Sequence, residues 1–362
     1  MEKILVISTM YPSKLHPSFG VFVKNQVEAL KARGILVDVA AIHNPHMSKP
    51  AVIWKYTVWM MHVLFLLLTK GKQYDIVHAH YVYPSGRLAL LFKILFRTRV
   101  VVTAHGGDLD KMAKKGRFFF NRTKQVLHQA DHIIAVGEKL KQDMIDTYQV
   151  SAERITVLNM GVNRHVFKPM GQATARKALN IPETATIILF VGNMIKAKGV
   201  AELLEAYSGL KANHSALELH LIGAPKEPAF VQRMLEKITH EQIQDVHLHP
   251  PIGQTHIAQW LAAADVFVLP SYMEGFGLVA LEAMSCHTPV VASDVGGLSY
   301  LLSYGAGRLI KPKDTASLRT GMAHVLGDKH LRHELIANGE EKAQQYDQER
   351  LIGQLIERYQ QG

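Results

Sequence analysis

The chain carries a single cysteine, Cys286, in 362 residues, so no disulfide can close within it. That fits a reducing compartment. Cys286 reads as a small buried residue on a helix, with a nucleophile as the alternative. Phosphate and metal signatures are missing too. No Gly-x-Gly-x-x-Gly turn is present, which argues against a nicotinamide or flavin dehydrogenase. Neither a Gly-Lys-Ser/Thr loop nor a His-Glu-x-x-His pair occurs, despite 20 histidines. The first eight residues are too short for a secretory leader and read as a buried strand. Long apolar runs are lacking: the stretch centred on residues 59–68 falls short of the roughly 18–20 residues a membrane span needs. Residues 54–69 therefore read as a core helix, with a partly interfacial helix as the alternative.

Acidic residues are scarce in the first half. Residues 1–170 hold 24 Lys and Arg against 11 Asp and Glu, whereas the remainder holds 17 against 20. The whole net charge of +10 thus has its origin in the N-terminal half, which suggests that this half faces something anionic. Nucleic acid, anionic lipid and a phosphorylated acceptor are the candidates. No recognition-helix or stacking-sheet signature supports nucleic acid.

What the chain does contain is an alternation of short apolar runs with longer amphipathic stretches, the pattern of parallel sheets with crossover helices. Strands are expected at residues 3–8, 35–42, 76–79, 100–103 and 133–136. A second set is expected at 186–191, 217–222, 246–248, 266–269, 290–292 and 307–310. Helices fall between them, such as 22–32 and 199–209. A Pro and a Gly interrupt the pattern near residues 167–171, the expected domain boundary. The final stretch, with Leu351, Ile352, Leu355 and Ile356 on one helical face, should dock rather than dangle.

The most informative segment runs Pro270-Ser271-Tyr272-Met273-Glu274-Gly275-Phe276-Gly277-Leu278-Val279-Ala280-Leu281-Glu282. It leaves a strand and enters a helix near Leu278. Glycines at that turn let backbone approach a ligand closely. The free N–H groups of the helix then suit a diphosphate. Glu274 and Glu282 flank the turn. Ionised carboxylates only accept hydrogen bonds, so they suit sugar and ribose hydroxyls. A plainer reading makes them a helix charge and a surface Glu. Lys198 follows another strand through Gly192 and Asn193, and is a cation placed to meet a diphosphate, although loop lysines are common. His105, in Val102-Thr103-Ala104-His105-Gly106-Gly107-Asp108, stands where α/β sheets present ligand-facing residues. Gly20, ahead of Phe22-Val23-Lys24, could admit a phosphate or acceptor at a helix start.

These residues together resemble glycosyltransferase family 4, of GT-B architecture. The most specific part is Pro270-Ser271 through Glu274 and seven intervening residues to Glu282-Ala283-Met284, then Thr288-Pro289-Val290-Val291-Ala292-Ser293 and Val295-Gly296-Gly297. Within the family, the N-terminal signature resembles enzymes of bacterial surface-polysaccharide and teichuronic acid assembly. The resemblance implies two Rossmann-like doubly wound domains facing a cleft. Residues 1–168 would form the acceptor side and 169–345 the nucleotide-sugar side, with a C-terminal helix, 346–362, returning toward the first domain. It implies a retaining, metal-independent transferase with no cofactor and a nucleotide-sugar donor. Glu282 would hold the ribose and Glu274 the transferred sugar. Backbone of Gly275, Phe276, Gly277, Leu278 and Val279 would meet sugar and phosphates, and Lys198 would neutralise the diphosphate. His105 would approach the donor sugar, Gly20 the phosphates or acceptor, and Ile222 and Ile252 would border the base.

Three positions depart from the family pattern. Asn193 stands where Arg is common, so one diphosphate cation is missing, with Lys196 the neighbouring substitute. Leu298-Ser299-Tyr300 replaces the usual Glu after the double glycine, and the interdomain linker reads Leu158-Asn159-Met160-Gly161-Val162-Asn163. Asp108-Leu109-Asp110 imitates the Asp-x-Asp metal site of another transferase class. With no third acid near to complete an oxygen shell, Asp108 is expected to cap a helix and no metal is expected. Residues 111–124 mix six cations with three aromatics, a composition suited to an anionic bilayer or to a solvated basic loop. The expectation is a cytoplasmic enzyme, peripheral at the inner membrane face, acting on a glycan or lipid-linked acceptor. The alternatives are a nucleotide-sugar sensor, an inactive partner subunit, or another GT-B enzyme such as a nucleotide-sugar 2-epimerase.

Overall fold

The computed structural model describes residues 2–46, 48–109 and 116–361. The chain divides into two compact units, Met1–Met160 together with Gln348–Gly362, and Gly161–Asp347. The divisions fall at 160/161 and 347/348, not at 168/169 and 345/346. The physical reason is Phe167. It is buried in the second unit, where its carbonyl accepts from Ser285 Oγ at 2.5 Å.

Among the described residues, the first unit holds β1 (Lys3–Ser8), α1 (Val21–Ala32), β2 (Leu36–Ala41), α2 (Lys49–Lys70), β3 (Ile76–His80), α3 (Ser85–Phe96), β4 (Arg99–Ala104), α4 (Arg117–Gln129), β5 (His132–Ala135), α5 (Glu138–Tyr148) and β6 (Ile155–Val157). The strands form one sheet in the order β2-β1-β3-β4-β5-β6, with every neighbouring pair parallel. Its central strands are mostly apolar because helices cover both faces, with His78, His80 and Thr103 among the buried polar exceptions. Helices α2 to α5 seal one face over Leu5, Val77, Val102 and Ile133.

The second unit contains α6 (Gln172–Ala178), β7 (Thr186–Val191), α7 (Val200–Lys211), β8 (Leu217–Ile222), α8 (Pro228–His240), β9 (Val246–His249), α9 (Gln254–Ala263), β10 (Val266–Leu269), α10 (Leu278–Ser285), β11 (Val290–Ser293), α11 (Gly296–Leu301), β12 (Arg308–Ile310), α12 (Thr315–Gly327) and α13 (Lys329–Gln345). Its sheet order is β12-β11-β10-β7-β8-β9, again wholly parallel. Strand order reverses between β7 and β10. Such a switch point opens a crevice at the carboxyl ends of the two strands. The first sheet has its own reversal between β1 and β3. The last helix, α14 (Gln348–Gln360), belongs to the first unit. Arg33 Nη2 meets Glu349 Oε2 at 2.9 Å, and Arg99 Nη1 donates to the Tyr359 carbonyl at 2.5 Å.

Helix α2 departs from the expected core helix. Trp59, Val63, Leu66 and Leu67 pack into the unit, and Trp59 Nε1 donates to the Ala40 carbonyl at 3.0 Å. Its opposite face is also apolar but lies in solvent, with Ile53, Trp54, Val58, Met61, Phe65 and Leu68 all exposed. Apolar content alone did not say which side faced inward, because both sides carry it.

Candidate active site

The loops after β7 and β10, on either side of the second sheet's switch point, are tied together by backbone. Tyr272 N–H donates to the Ala197 carbonyl at 3.0 Å, and Tyr272 Oη donates to Glu202 Oε1 at 2.5 Å. Gly199 has φ +69°, and a Cβ there would lie 2.0 Å from the Pro270 carbonyl oxygen, so only glycine lets the loops meet. This contact brings Lys198 Nζ to 2.5 Å from Glu274 Oε2. Ser271 Oγ also donates to that oxygen, at 3.3 Å. The two residues assigned to diphosphate and sugar are thus paired with each other, half-buried, at one point.

The glycine elbow is held from behind by a second glycine pair. Gly297 N–H donates to the Glu274 carbonyl at 3.1 Å. A Cβ on Gly297 would fall 2.3 Å from the Gly275 oxygen, and one on Gly296 2.3 Å from the Glu274 oxygen. Gly277 adopts φ +94° as the residue capping α10. Phe276 is buried, its ring edge-on to Tyr346 at 5.1 Å. From Gly277, α10 runs through Leu278 and Val279 to Glu282. Burial drives the Glu282 carboxyl up to about 8, opposed by a hydrogen bond from the Gln254 side chain. Glu282 therefore holds its proton at neutral pH. Beside it, burial and then the Glu282 charge push the Cys286 thiol up to about 12. Such a thiol stays protonated near neutrality, in keeping with the small buried residue expected from the sequence.

The ends of β7, β8 and β9 converge as well. Gly192 N–H donates to the Ile222 carbonyl at 2.9 Å, and Gly223 N–H to the His249 carbonyl at 3.1 Å. A Cβ on Gly223 would sit 1.8 Å from the Gly192 oxygen. Asn193 is exposed next to this junction and Ile222 is buried in it. Ile252 is half-buried ahead of Gln254, which opens α9. Lys196 is exposed, and its N–H donates to Glu227 Oε2 at 3.1 Å.

The first unit builds a polar cluster at its own switch point. Gly20, with φ +73°, lies against Met10, whose carbonyl carbon would be 2.6 Å from a Cβ. His105 meets the tilted rings of Phe22 and Tyr81 at 4.9 and 4.7 Å between ring centres, and stacks on His80 at 5.3 Å. Its Nε2 lies 3.1 Å from His80 Nδ1. His80 in turn stacks on His78 at 4.5 Å, and His78 bonds Tyr359 Oη at 2.6 Å and Thr103 Oγ1 at 2.7 Å. Burial, and then the His78 imidazole, hold His105 down at about 3, so it is neutral at physiological pH. Asp108, buried, accepts from the N–H groups of Val82 at 2.8 Å and His105 at 3.1 Å. Its oxygens fix the loop that carries His105. Asp110 and residues 111–115 of the basic segment lie outside the described residues.

Sequence reasoning missed Gln254 and His80, and it named Ser271, Tyr272, Gly296 and Gly297 without giving them a role. The double glycine and the His-x-His alternation at the end of β3 were visible signals. The partners of Gln254 and Tyr272 lie 28 and 70 residues away, and no local pattern marks them. Among the described residues, one group has metal-ligand spacing, Glu218, His220 and His247 on β8 and β9. His220 is already bonded on both nitrogens, to Glu218 and His249. His247, stacked on His220 at 21°, has its Nε2 3.7 Å from the same Glu218 oxygen that His220 meets.

Residues 171–342 match the family Glycosyl transferases group 1, and residues 19–166 match Glycosyltransferase Family 4. The D-inositol 3-phosphate glycosyltransferase of Thermobispora bispora is 32% identical over 275 residues, covering 71% of this chain and 63% of its own. The alignment therefore spans a little under two thirds of that relative. D-inositol 3-phosphate glycosyltransferase 2 of Catenulispora acidiphila is 30% identical over 295 residues, 75% of this chain and 67% of its own. TuaC of Bacillus subtilis, assigned by name to teichuronic acid biosynthesis, is 27% identical over 359 residues and 87% of each chain. Among solved structures, sucrose-phosphate synthase of Thermosynechococcus elongatus superposes with a TM-score of 0.83 at 24% identity, over 100% and 99% of the two chains. Anabaena HepE, solved with UDP-glucose, gives 0.77 at 18% identity over 99% of each. Both share the GT-B fold of two Rossmann-like units, and with the two family matches they leave one assignment: the chain belongs to glycosyltransferase family 4.

Proposed function

We propose that this protein is a retaining, metal-independent glycosyltransferase that moves a sugar from a nucleotide-sugar donor to a glycan or lipid-linked acceptor in cell-surface polysaccharide synthesis. The observation that carries the reading is the Lys198–Glu274 pair set at the switch point, against a glycine elbow that opens a helix. Departure of a nucleoside diphosphate builds negative charge on phosphate oxygens, and pre-placed donors stabilise it. The free N–H groups at the start of α10 and the Lys198 ammonium supply them without a metal. Glu274, released from Lys198 by the incoming diphosphate, accepts from hydroxyls of the transferred sugar, and Glu282 from the ribose. His105, neutral, is assigned to the sugar in the first unit's share of the work. The reaction breaks the bond from the anomeric carbon to phosphate oxygen and forms the bond to the acceptor oxygen on the same face. The acceptor's proton goes to the departing phosphate oxygen.

The names of the relatives, inositol phosphate for one set and teichuronic acid for TuaC, favour an anionic acceptor, in keeping with the basic first half. The membrane role assigned to residues 111–124 belongs to the same reading. Calorimetric titration with a panel of nucleoside diphosphates, followed by donor turnover and the anomeric configuration of the product, tests it. Tight binding without turnover would favour the sensor or inactive-subunit reading, which Asn193 supports. Glu282→Ala with wild-type turnover would remove the ribose role.

A further inference from the structure

The outer face of α2 is the largest feature that sugar transfer leaves unused. A crossover helix on a soluble unit ordinarily turns charge toward water. Here Trp54, Val58, Met61, Phe65 and Leu68 are spaced four and three residues apart along one stripe, and Trp54 is 72%, Phe65 60% and Leu68 82% exposed. The stripe spans about 21 Å at 1.5 Å per residue. The neighbouring helix α3 exposes Ile94 and Leu95 as well. Exposed apolar surface that is contiguous marks a site of association.

The charge around it says with what. Helices α2, α3 and α4 carry eight Lys and Arg and not one Asp or Glu; of these, Lys70 and Lys93 pair with Asp38 and Asp131 from neighbouring elements. A second copy packed through the same helix would bring together two α2 helices that carry Lys49, Lys55 and Lys70 and no acid. An anionic bilayer offers apolar depth and negative charge in one plane.

We infer that α2 seats the first unit flat on an anionic lipid surface, its outer stripe in the interface. The helix is long and apolar enough to cross a membrane by length and composition, but crossing would strip Trp59, Val63, Leu66 and Leu67 out of the core. Seating on the surface keeps that packing. The inference relocates the lipid contact of the proposed function from residues 111–124 to α2. It is tested without donor or acceptor, so its failure leaves the sugar-transfer reading standing.

The test uses the full chain with phosphatidylglycerol vesicles, and phosphatidylcholine vesicles as control, at low salt. Trp59 and Trp260 are buried and Trp54 is exposed, so Trp54 fluorescence should shift blue and be quenched by brominated acyl chains. Binding should weaken at least tenfold in Trp54→Glu/Phe65→Glu, and partly at high salt. Both positions are solvent-facing, so circular dichroism and melting should match wild type. Should that variant fail to fold, Leu68→Glu with Ile94→Glu reads the same surface. Equal binding by the charge variants, or no binding by wild type, overturns the inference. So does a dimer in velocity sedimentation that the charge variants dissociate, which would make a second copy the occupant.

Discussion

Replacing Glu282 by glutamine gives a test of the donor site that needs no acceptor. In the native chain, burial holds the Glu282 carboxyl at about 8, against an ordinary 4.5. The native state therefore binds a proton that the unfolded chain releases. Stability contributed by this group is complete below about pH 4.5 and declines as pH rises to about 8. Above that it is flat again. At 1.36 kcal/mol per tenfold change in proton affinity, the ceiling on the loss is about 5 kcal/mol, and the partial solvent access of Glu282 reduces it. A glutamine amide has no such proton to lose, so E282Q should gain stability relative to wild type across that window and no further at higher pH. Melting of both proteins from pH 5 to pH 9 measures this directly.

Nucleotide binding then reports the same proton. With its carboxyl raised to about 8, Glu282 is mostly protonated at pH 7. Ribose hydroxyls donating to the carboxylate favour its charged form, so binding should expel most of that proton. Affinity should rise with pH up to about 8. Titration with a nucleoside diphosphate in two buffers of different ionisation enthalpy counts the protons released. Release in wild type and none in E282Q is the expected pair. If wild type and E282Q melt in parallel across the pH range, Glu282 does not carry the displaced proton. If melting diverges but binding releases nothing, the carboxyl is desolvated as described and does not meet the nucleotide.

Other outcomes follow from the geometry. Lys198→Ala leaves Glu274 without its cation and should lower donor turnover about 10²–10³-fold, with Lys198→Arg retaining more; steady-state kinetics decide it. Gly297→Ala drives a Cβ to 2.3 Å from the Gly275 oxygen and 2.5 Å from the Phe276 Cα, so the elbow must shift. It should cost about 1–3 kcal/mol in melting experiments and weaken diphosphate binding, while Gly253→Ala, with nothing near its Cβ, should do neither. His80 Nε2 is buried without a hydrogen-bond partner among the described residues, so its proton is expected on Nδ1, donated to His105 Nε2. His105 should then carry its own proton on Nδ1. Ring nitrogen shifts by NMR read this, and His80→Phe should release His105 to mixed tautomers.

The parts of this molecule that were legible in its sequence are those where one stretch of chain makes its own geometry. The sheet strands announce themselves because burial on both faces demands continuous apolar residues, and the elbow does so because its glycines and carboxylates are neighbours in sequence. Strand β6 was missed, since Ile155-Thr156-Val157 at the sheet edge is too short to show a period. The His78–Tyr359 and Glu282–Gln254 contacts join residues that only the folded topology brings together. Helix α2 shows a different limit. Periodicity separates a helix's inside from its outside when one side is polar, and here residues 59, 63, 66, 67 and residues 54, 58, 61, 65, 68 are both apolar stripes. Such a helix looks buried from composition, yet a helix packed on one sheet can bury one face only. The second stripe is the face that the inferred lipid contact would cover. A sequence that keeps two apolar faces on such a helix, with no acid on it or on its two neighbours, carries a partner's chemistry in its own pattern.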